Sequence, residues 1–164
     1  DSSQKLPLTV GYFKDLCSRF MSEKSAKLAE KLTLEPPVEP VSTGSVFLDE
    51  WYEKERCLRL ALAQIRALKM KKDIKDLPSA SDGESIQAAR TATGMDSPLA
   101  AEQYLNQYRL GILDRISPLD NFSVDAVYSY GLKLMLAERM KKFNKDEGLA
   151  SYHKIYDEIL GEKK

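Results

Sequence analysis

Apolar residues recur at helical spacing along most of the chain, and one stretch shows the pattern over the greatest length. Residues 45–72 contain no proline or glycine and are rich in Leu, Ala, Glu, Lys and Arg, which are good helix formers. The apolar positions of this stretch fall close to multiples of 3.6: Phe47, Trp51, Cys57, Leu58, Leu62, Ile65 and Leu68. At 1.5 Å per residue this helix is about 40 Å long. We therefore predict one long helix against which shorter helices pack.

Capping residues precede several shorter apolar repeats. Thr9, Ser22 and Ser123 are predicted N-caps, Thr43 or Ser45 caps the long helix, and Ser97-Pro98 is the clearest helix start in the chain. No stretch alternates apolar and polar residues as an amphipathic strand does. The pattern predicts an all-α, multi-helix bundle organised around the long helix, with antiparallel helices in the C-terminal half. The shorter predicted helices span 10–20, 23–32, 84–93, 98–116, 124–143 and 148–160. The first has a predicted apolar stripe that ends at Phe20, and the stripe of the last consists of Leu149, Tyr152, Tyr156 and Ile159.

Two stretches are predicted to be connections. Residues 33–44 contain three prolines, and residues 73–83 contain Pro78 followed by a Ser/Asp/Gly cluster. The remaining length suits a single helical domain over 1–164 with one core. Because the sequence begins with Asp rather than Met, we interpret it as lacking a short N-terminal segment of the native protein.

Composition narrows the class of protein. Hydrophobic residues make up 43% and charged residues 30%, which is typical of a globular chain. Lys+Arg and Asp+Glu both number 25, so the large basic excess of a general nucleic-acid-binding protein is missing. No apolar run approaches the 18 residues of a transmembrane helix. We expect a soluble, cytoplasmic protein that does not bind nucleic acid and has no transmembrane segment.

The sequence shows no recognisable catalytic constellation. His153 is the only histidine, and no hydroxyl or thiol nucleophile has a recognisable base beside it. We therefore predict no enzyme, no cofactor and no metal site. Cys57, inside the long helix, is predicted to be a small buried hydrophobic residue.

The charged residues of the helices are open to more than one interpretation. Asp49, Glu50, Glu53 and Glu55 are predicted to form a solvated face, with the pairs Glu50/Lys54 and Glu55/Arg59 at the i,i+4 spacing that stabilises a helix surface. Glu138 follows an apolar stripe by one turn. Its carboxylate either lies exposed at the edge of that stripe or is a buried partner of an arginine such as Arg109.

Six residues are candidates for contact with a partner. Trp51 is a large aromatic residue near the start of an amphipathic helix, and it is either a core residue or an interface anchor; Tyr52 is its neighbour. Arg66, Lys69, Lys71 and Lys72 form a basic run at the end of the long helix. These cations either complement the helix dipole or contact an acidic partner or anionic lipid headgroups.

Three segments resemble a family of uncharacterised proteins encoded in bacterial V-type ATP synthase operons. The opening segment resembles the family's Ser-Lys-Leu-Pro start. The second segment has the family's Phe, Trp and Glu-Arg positions, and the third segment has the family's Leu-Lys-Leu and Glu-Arg positions. Met140 stands where the family often has tryptophan after Glu-Arg. The segments occur in the family's order and are 1–14 (DSSQKLPLTVGYFK), 47–59 (FLDEWYEKERCLR) and 132–148 (LKLMLAERMKKFNKDEG).

The resemblance implies association with V-type ATPase subunits. We accordingly expect a non-catalytic accessory or assembly subunit of a bacterial V-type ATP synthase. Such a subunit acts on the cytoplasmic side and reaches the inner membrane only peripherally, through the complex. The alternatives are a general helical protein–protein interaction module and an enzyme with an unrecognised pocket.

Overall fold

The computed structural model describes residues 8–71, 82–141 and 145–161 of the chain. These residues form seven helices and no strand, and the protein is 76% helical, which confirms the predicted all-α fold. The helices are α1 (Val10–Phe20), α2 (Glu23–Glu30), α3 (Val46–Lys69), α4 (Gly83–Thr93), α5 (Pro98–Ile116), α6 (Val124–Lys141) and α7 (Lys145–Gly161).

The predicted helix starts are confirmed by hydrogen bonds from the capping side chains. Thr9, Ser22, Ser45 and Ser97 are the N-caps of α1, α2, α3 and α5. Ser123 accepts a hydrogen bond from the backbone N–H of Ala126 at the start of α6. Each of these hydroxyls satisfies a donor that has no partner inside its own helix.

Several helix boundaries differ from the prediction. α2 ends two residues early at Glu30, and α7 already includes Lys145, three residues before its predicted start at 148. The predicted end of α6 at 143 lies outside the described residues, which include this helix as far as Lys141. The long helix ends at Lys69 because Lys71 has a φ of 54°, in the left-handed region that terminates helices. Most of the predicted connection 73–83 lies outside the described residues. At its end, Asp82 caps α4 and Gly83 is the first residue of that helix.

The larger of two apolar clusters, here called the aromatic cluster, joins α1, α2 and α6 to the first half of α3 and the last half of α5. Trp51 and Tyr128 are its largest fully buried side chains. A glycine lets α1 approach α6, since a Cβ on Gly131 would lie 2.6 Å from the Phe13 ring. The buried members are Phe13, Cys17, Ala29, Leu32, Phe47, Leu48, Trp51, Tyr52, Ile112, Leu113, Tyr128, Leu132, Leu134 and Leu136.

The second cluster, here called the alanine cluster, joins α4 to the second half of α3 and the first half of α5. Its members are smaller, and Cys57 is buried near them, as predicted. Three alanines on one face of α4 let the three helices pack with little side-chain volume between them. The buried members are Leu58, Ala61, Leu62, Ala88, Ala89, Ala92 and Leu105.

Side-chain contacts fix the directions of the C-terminal helices. Lys133 of α6 forms an ion pair with Asp114 of α5, and Arg139 forms one with Glu102, so these two helices are antiparallel, as predicted. α4 runs parallel to α3, because Asp82 lies beside Lys54 and Thr93 beside Lys69. Two predicted stripe residues are exposed instead of buried: Phe20 at the end of α1 and Leu68 at the end of α3.

Candidate functional site

The aromatic candidates for partner contact lie inside the fold. Trp51 is 0% exposed, and its indole Nε1 has no hydrogen-bond partner within the described structure. Tyr52 is also buried, with its hydroxyl near the backbone of Thr33, and burial raises its pKa. Both side chains therefore hold the aromatic cluster together, and a partner can reach them only if the bundle opens.

The basic candidates remain on the surface. Arg66, Lys69 and Lys71 are exposed at the end of α3, whereas Lys72 lies outside the described residues. Lys69 donates a hydrogen bond through its Nζ to the backbone carbonyl of Thr93, the last residue of α4. A cation at this position offsets the partial negative charge of a helix C-terminus. Lys69 thus has a structural role between two helices, and contact of Arg66 and Lys71 with an acidic partner stays a prediction.

A buried ion pair lies where the two clusters meet, and it corrects the predicted charged face of α3. Glu55 is only 1% exposed, and its two carboxylate oxygens accept hydrogen bonds from Arg109 Nε at 2.9 Å and Nη2 at 3.0 Å. The predicted i,i+4 partner, Arg59, also donates to Glu55, at 2.9 Å. Asn106 accepts a hydrogen bond from Arg109 Nη1 at 3.4 Å. The carboxylate is thus fully occupied by two arginines.

The sequence carried a signal for this pair. Glu55 lies four residues after Trp51 and three before Leu58, so it falls on the apolar stripe of α3. Arg109 likewise lies four residues after Leu105 and three before Ile112. A charged residue on the buried stripe of each of two packed helices indicates a buried pair, whereas the i,i+4 rule considers only pairs within one helix.

Glu138 has neither of the arrangements predicted for it. Its Oε1 accepts a hydrogen bond from the backbone N–H of Val10 at 2.7 Å, at the start of α1. The carboxylate therefore satisfies a free donor at a helix N-terminus, where negative charge is favourable. Arg109, the arginine considered as its partner, is instead paired with Glu55.

Two open grooves lie on the surface of the bundle. One, of about 370 Å³, lies between α6 and the segment after α2; Val10, Leu32, Leu34, Met135, Glu35 and Arg139 are among its lining residues. The other, of about 510 Å³, lies between α4 and α5 and is lined in part by Tyr104 and Tyr108, with Glu84 and Arg115 paired at 2.9 Å. Arg139 in the first groove and Arg115 in the second are each paired with a glutamate.

The described residues contain no metal-binding cluster. No group of three or more His, Cys, Asp and Glu side chains that could hold an ion occurs among them. His153 is exposed on α7 and contacts the ring of Tyr152. Within the same residues, no helix combines the length and the apolar character needed to cross a bilayer.

Among the described residues, α7 has the most exposed apolar side chains of any helix. This helix packs against none of the other six described helices. Its apolar side chains share one side of the helix and are each about half exposed, from 49% for Tyr156 to 61% for Tyr152. This apolar face of α7 comprises Leu149, Tyr152, Ile155, Tyr156, Ile159 and Leu160. The stripe Leu149, Tyr152, Tyr156 and Ile159 was predicted correctly, but its side chains do not enter the core.

A smaller apolar site lies in the turn between α5 and α6. Leu119 and Phe122 are fully exposed there. Asp120 holds the turn, because its side chain accepts a hydrogen bond from the N–H of Phe122 at 2.9 Å and its carbonyl accepts one from Ser123 Oγ at 2.8 Å. Two exposed side chains on a short turn offer much less apolar area than the face of α7.

Comparison with known proteins relates about half of this structure to a family. No curated protein and no solved structure matches the chain. The matching segment contains α4, α5, α6 and α7, and thus the exposed apolar helix, whereas α1, α2 and α3 precede it. Residues 83–163, just under half of the chain, match the model of DUF2764, a family described as a protein of unknown function.

Proposed function

We propose that this protein is a non-catalytic accessory or assembly subunit of a bacterial V-type ATP synthase, and that α7 is the element that binds the complex. The observation that carries the proposal is the apolar face of α7. An amphipathic helix normally buries its apolar stripe. Large exposed apolar patches on a folded protein are typical of interaction sites.

The charged side chains inside the bundle support a binding role over catalysis. Glu55 is bound by Arg59 and Arg109, and Glu102 by Arg139, so each carboxylate has an arginine partner. A general acid or base needs a carboxylate that faces a space where a substrate can bind. These side chains instead connect α3, α5 and α6, and we assign them to the stability of the bundle.

The choice of complex rests on the sequence resemblance. All three resembling segments contribute to the described core, the first through the buried Phe13. Phe47, Trp51 and Glu55 in α3 are buried, and Glu138 in α6 caps α1. Residues shared with the operon-encoded family thus include ones that hold the bundle together, which supports a common fold. A common function within the ATPase is inferred from that likeness.

The test is affinity purification of the tagged full-length protein from its native cells. We expect V-type ATPase subunits to co-purify with the wild type. With Tyr152→Asp/Ile159→Asp, recovery of these subunits should fall at least about tenfold, since two apolar contacts worth more than about 1.4 kcal/mol in total are replaced by charges.

The matched control changes the polar side of the same helix. Lys154→Asp/Glu158→Asp also carries two substitutions on α7, and its recovery of ATPase subunits should not fall below that of the wild type. A wild-type preparation without ATPase subunits would overturn the choice of complex and favour the general interaction module. Equal recovery by the Tyr152/Ile159 variant would overturn the role of α7.

A further inference from the structure

We infer that α7 binds in a groove between two helices of a partner protein, and that the rim of this groove is basic. The inference rests on the proposed function, in which α7 is the docking element, and adds the chemistry of the surface that it binds. Two properties of α7 carry it: the width of the apolar face and the charge of the rest of the helix.

The apolar face is too wide for a single facing helix. At 100° per residue, its six side chains spread over an arc of about 140°, from Ile155 at one edge to Leu160 at the other. A helix that packs along one neighbour presents a narrow seam of two positions in seven. A groove between two helices covers a wider arc and buries both edges. The arc of α7 therefore matches a two-helix groove.

The rest of the α7 sequence is acidic. Residues 145–161 contain Lys145 and Lys154 but four carboxylates, Asp146, Glu147, Asp157 and Glu158, a net charge of −2. Asp157 and Glu158 are exposed and lie about 60° outside the two edges of the apolar face, with Lys154 between them, opposite the face. Helices that lie on anionic membranes carry Lys and Arg on their polar side. The acidic character of α7 instead favours Lys and Arg along the rim of its binding groove.

The same charge disfavours a second copy of this chain as the occupant. Pairing two α7 helices would bring two segments of net charge −2 together. The apolar face offers about 600 Å² if each side chain contributes on the order of 100 Å², below the roughly 800 Å² per partner of a standard interface. A basic groove that covers the full arc also gains contacts around the acidic side.

The experiment maps which surfaces lie beside each edge of α7. Ile155→Cys and Leu160→Cys place a thiol at the two edges of the apolar face, and Lys154→Cys is the matched control on the side opposite that face. Each is labelled with benzophenone maleimide. Cys17 and Cys57 are buried, so we expect them to remain unlabelled in the folded protein. The labelled full-length proteins are irradiated in native cell extract, and the cross-linked peptides are identified by mass spectrometry.

The expected result has three parts. Ile155→Cys and Leu160→Cys cross-link to one partner chain, on two different helices that are flanked by Lys or Arg. Lys154→Cys gives at least about tenfold less product. The yield at both edges falls several-fold between low and high salt, since the Debye length shrinks from about 10 Å at 0.1 M to about 3 Å at 1 M.

Four results would overturn the inference. They are cross-linking of both edges to one helix, cross-linking to a second copy of this chain, yields that do not change with salt, and cosedimentation with vesicles containing phosphatidylglycerol. The proposed function fails separately. If the partner is not an ATPase subunit but the two-helix pattern holds, the inference stands and the choice of complex falls. If ATPase subunits co-purify but neither edge cross-links to them, the inference falls and the choice of complex stands.

Discussion

The aromatic cluster and the alanine cluster are built on the same two helices, α3 and α5, yet they are stabilised in different ways. In the aromatic cluster, large side chains such as Trp51, Tyr128 and Leu132 fill the space between five helices. In the alanine cluster, Ala88, Ala89 and Ala92 let α4 lie close to α3. The first cluster should therefore be sensitive to loss of volume, and the second to added volume.

The boundary between the clusters should give the largest effect. Arg109→Ala leaves the buried Glu55 carboxylate without its two-pronged partner, and we expect the free energy of unfolding to fall by about 3–5 kcal/mol. Urea denaturation followed by circular dichroism measures the loss. The double variant Glu55→Leu/Arg109→Leu removes both charges and should recover most of it. Equal losses in the single and double variants would show that stability depends on the packing of the Arg109 side chain and not on the pairing of its charge with Glu55.

A loss of volume in the aromatic cluster or a gain of volume in the alanine cluster should give the next largest effect on the free energy of unfolding. Leu132→Ala in the aromatic cluster opens a cavity and should lower the free energy of unfolding by about 2–5 kcal/mol. Ala89→Leu in the alanine cluster forces α4 away from α3 and should lower it by about 1–3 kcal/mol. Thermal and urea unfolding of both variants test the comparison. If Ala89→Leu were neutral, α4 would not be closely packed, and the contrast between the clusters would disappear.

Substitutions of two helical glycines test how close the helices approach each other. One glycine lies at a close helix contact, and the other has open space beside it. A Cβ on Gly131 would lie within 3.0 Å of Phe13 and Leu32, so Gly131→Ala should lower the free energy of unfolding by about 1–3 kcal/mol. Gly111 in α5 has nothing within 4 Å of the same position. Gly111→Ala should raise the free energy of unfolding by about 0.5–1 kcal/mol, because alanine favours the helix. The two melting temperatures should therefore shift in opposite directions, and shifts of the same sign would contradict the close approach of α1 to α6.

The smallest expected loss of stability concerns the start of α4, beside the alanine cluster. Asp82 caps α4, and a hydrogen bond from the Ser85 hydroxyl is the main cause that holds its pKa below the ordinary value of 3.8. Asp82→Ala should cost about 1 kcal/mol at pH 7.

The pH dependence of that effect follows from the direction of the shift. A lowered pKa in the folded state adds stability above pH 3.8, and the added stability is lost as the pH falls through the lower folded value. The difference between wild type and Asp82→Ala should therefore shrink below about pH 4. Asp82→Asn keeps a capping side chain but not the titration, and it should lose less stability than Asp82→Ala at pH 7. A difference between wild type and Asp82→Ala that does not change with pH would contradict the role of the charge.

The sequence predicted much of the local structure because the signals are local. A cap such as Ser97 and the proline after it act within one turn, so the start of α5 is visible without knowledge of the rest of the fold. Whether Trp51 is covered by the chain itself or by a partner depends on which helices pack around α3, and no local signal ranks those arrangements. Periodicity likewise identified the apolar face of α7, but periodicity does not say whether a face is covered by the chain itself or remains exposed.

The family match raises a related point about folding units. Residues 83–163 begin with α4, yet the alanines of α4 pack against Leu58, Ala61 and Leu62 of α3, outside the match. The aromatic cluster also takes side chains from both parts of the chain. We therefore expect that residues 83–163, produced alone, would expose two apolar surfaces that are buried in the longer chain.

The hydrogen bond between Glu138 and the backbone of Val10 has a consequence during protein synthesis. The first turn of α1 is made early, but the carboxylate that caps it lies 128 residues later. At roughly 5–20 residues per second, the ribosome needs about 6–25 s to add that interval. Through that interval, the backbone N–H of Val10 lacks its carboxylate partner, and Phe13 lacks the surface of α6 around Gly131 that later covers it.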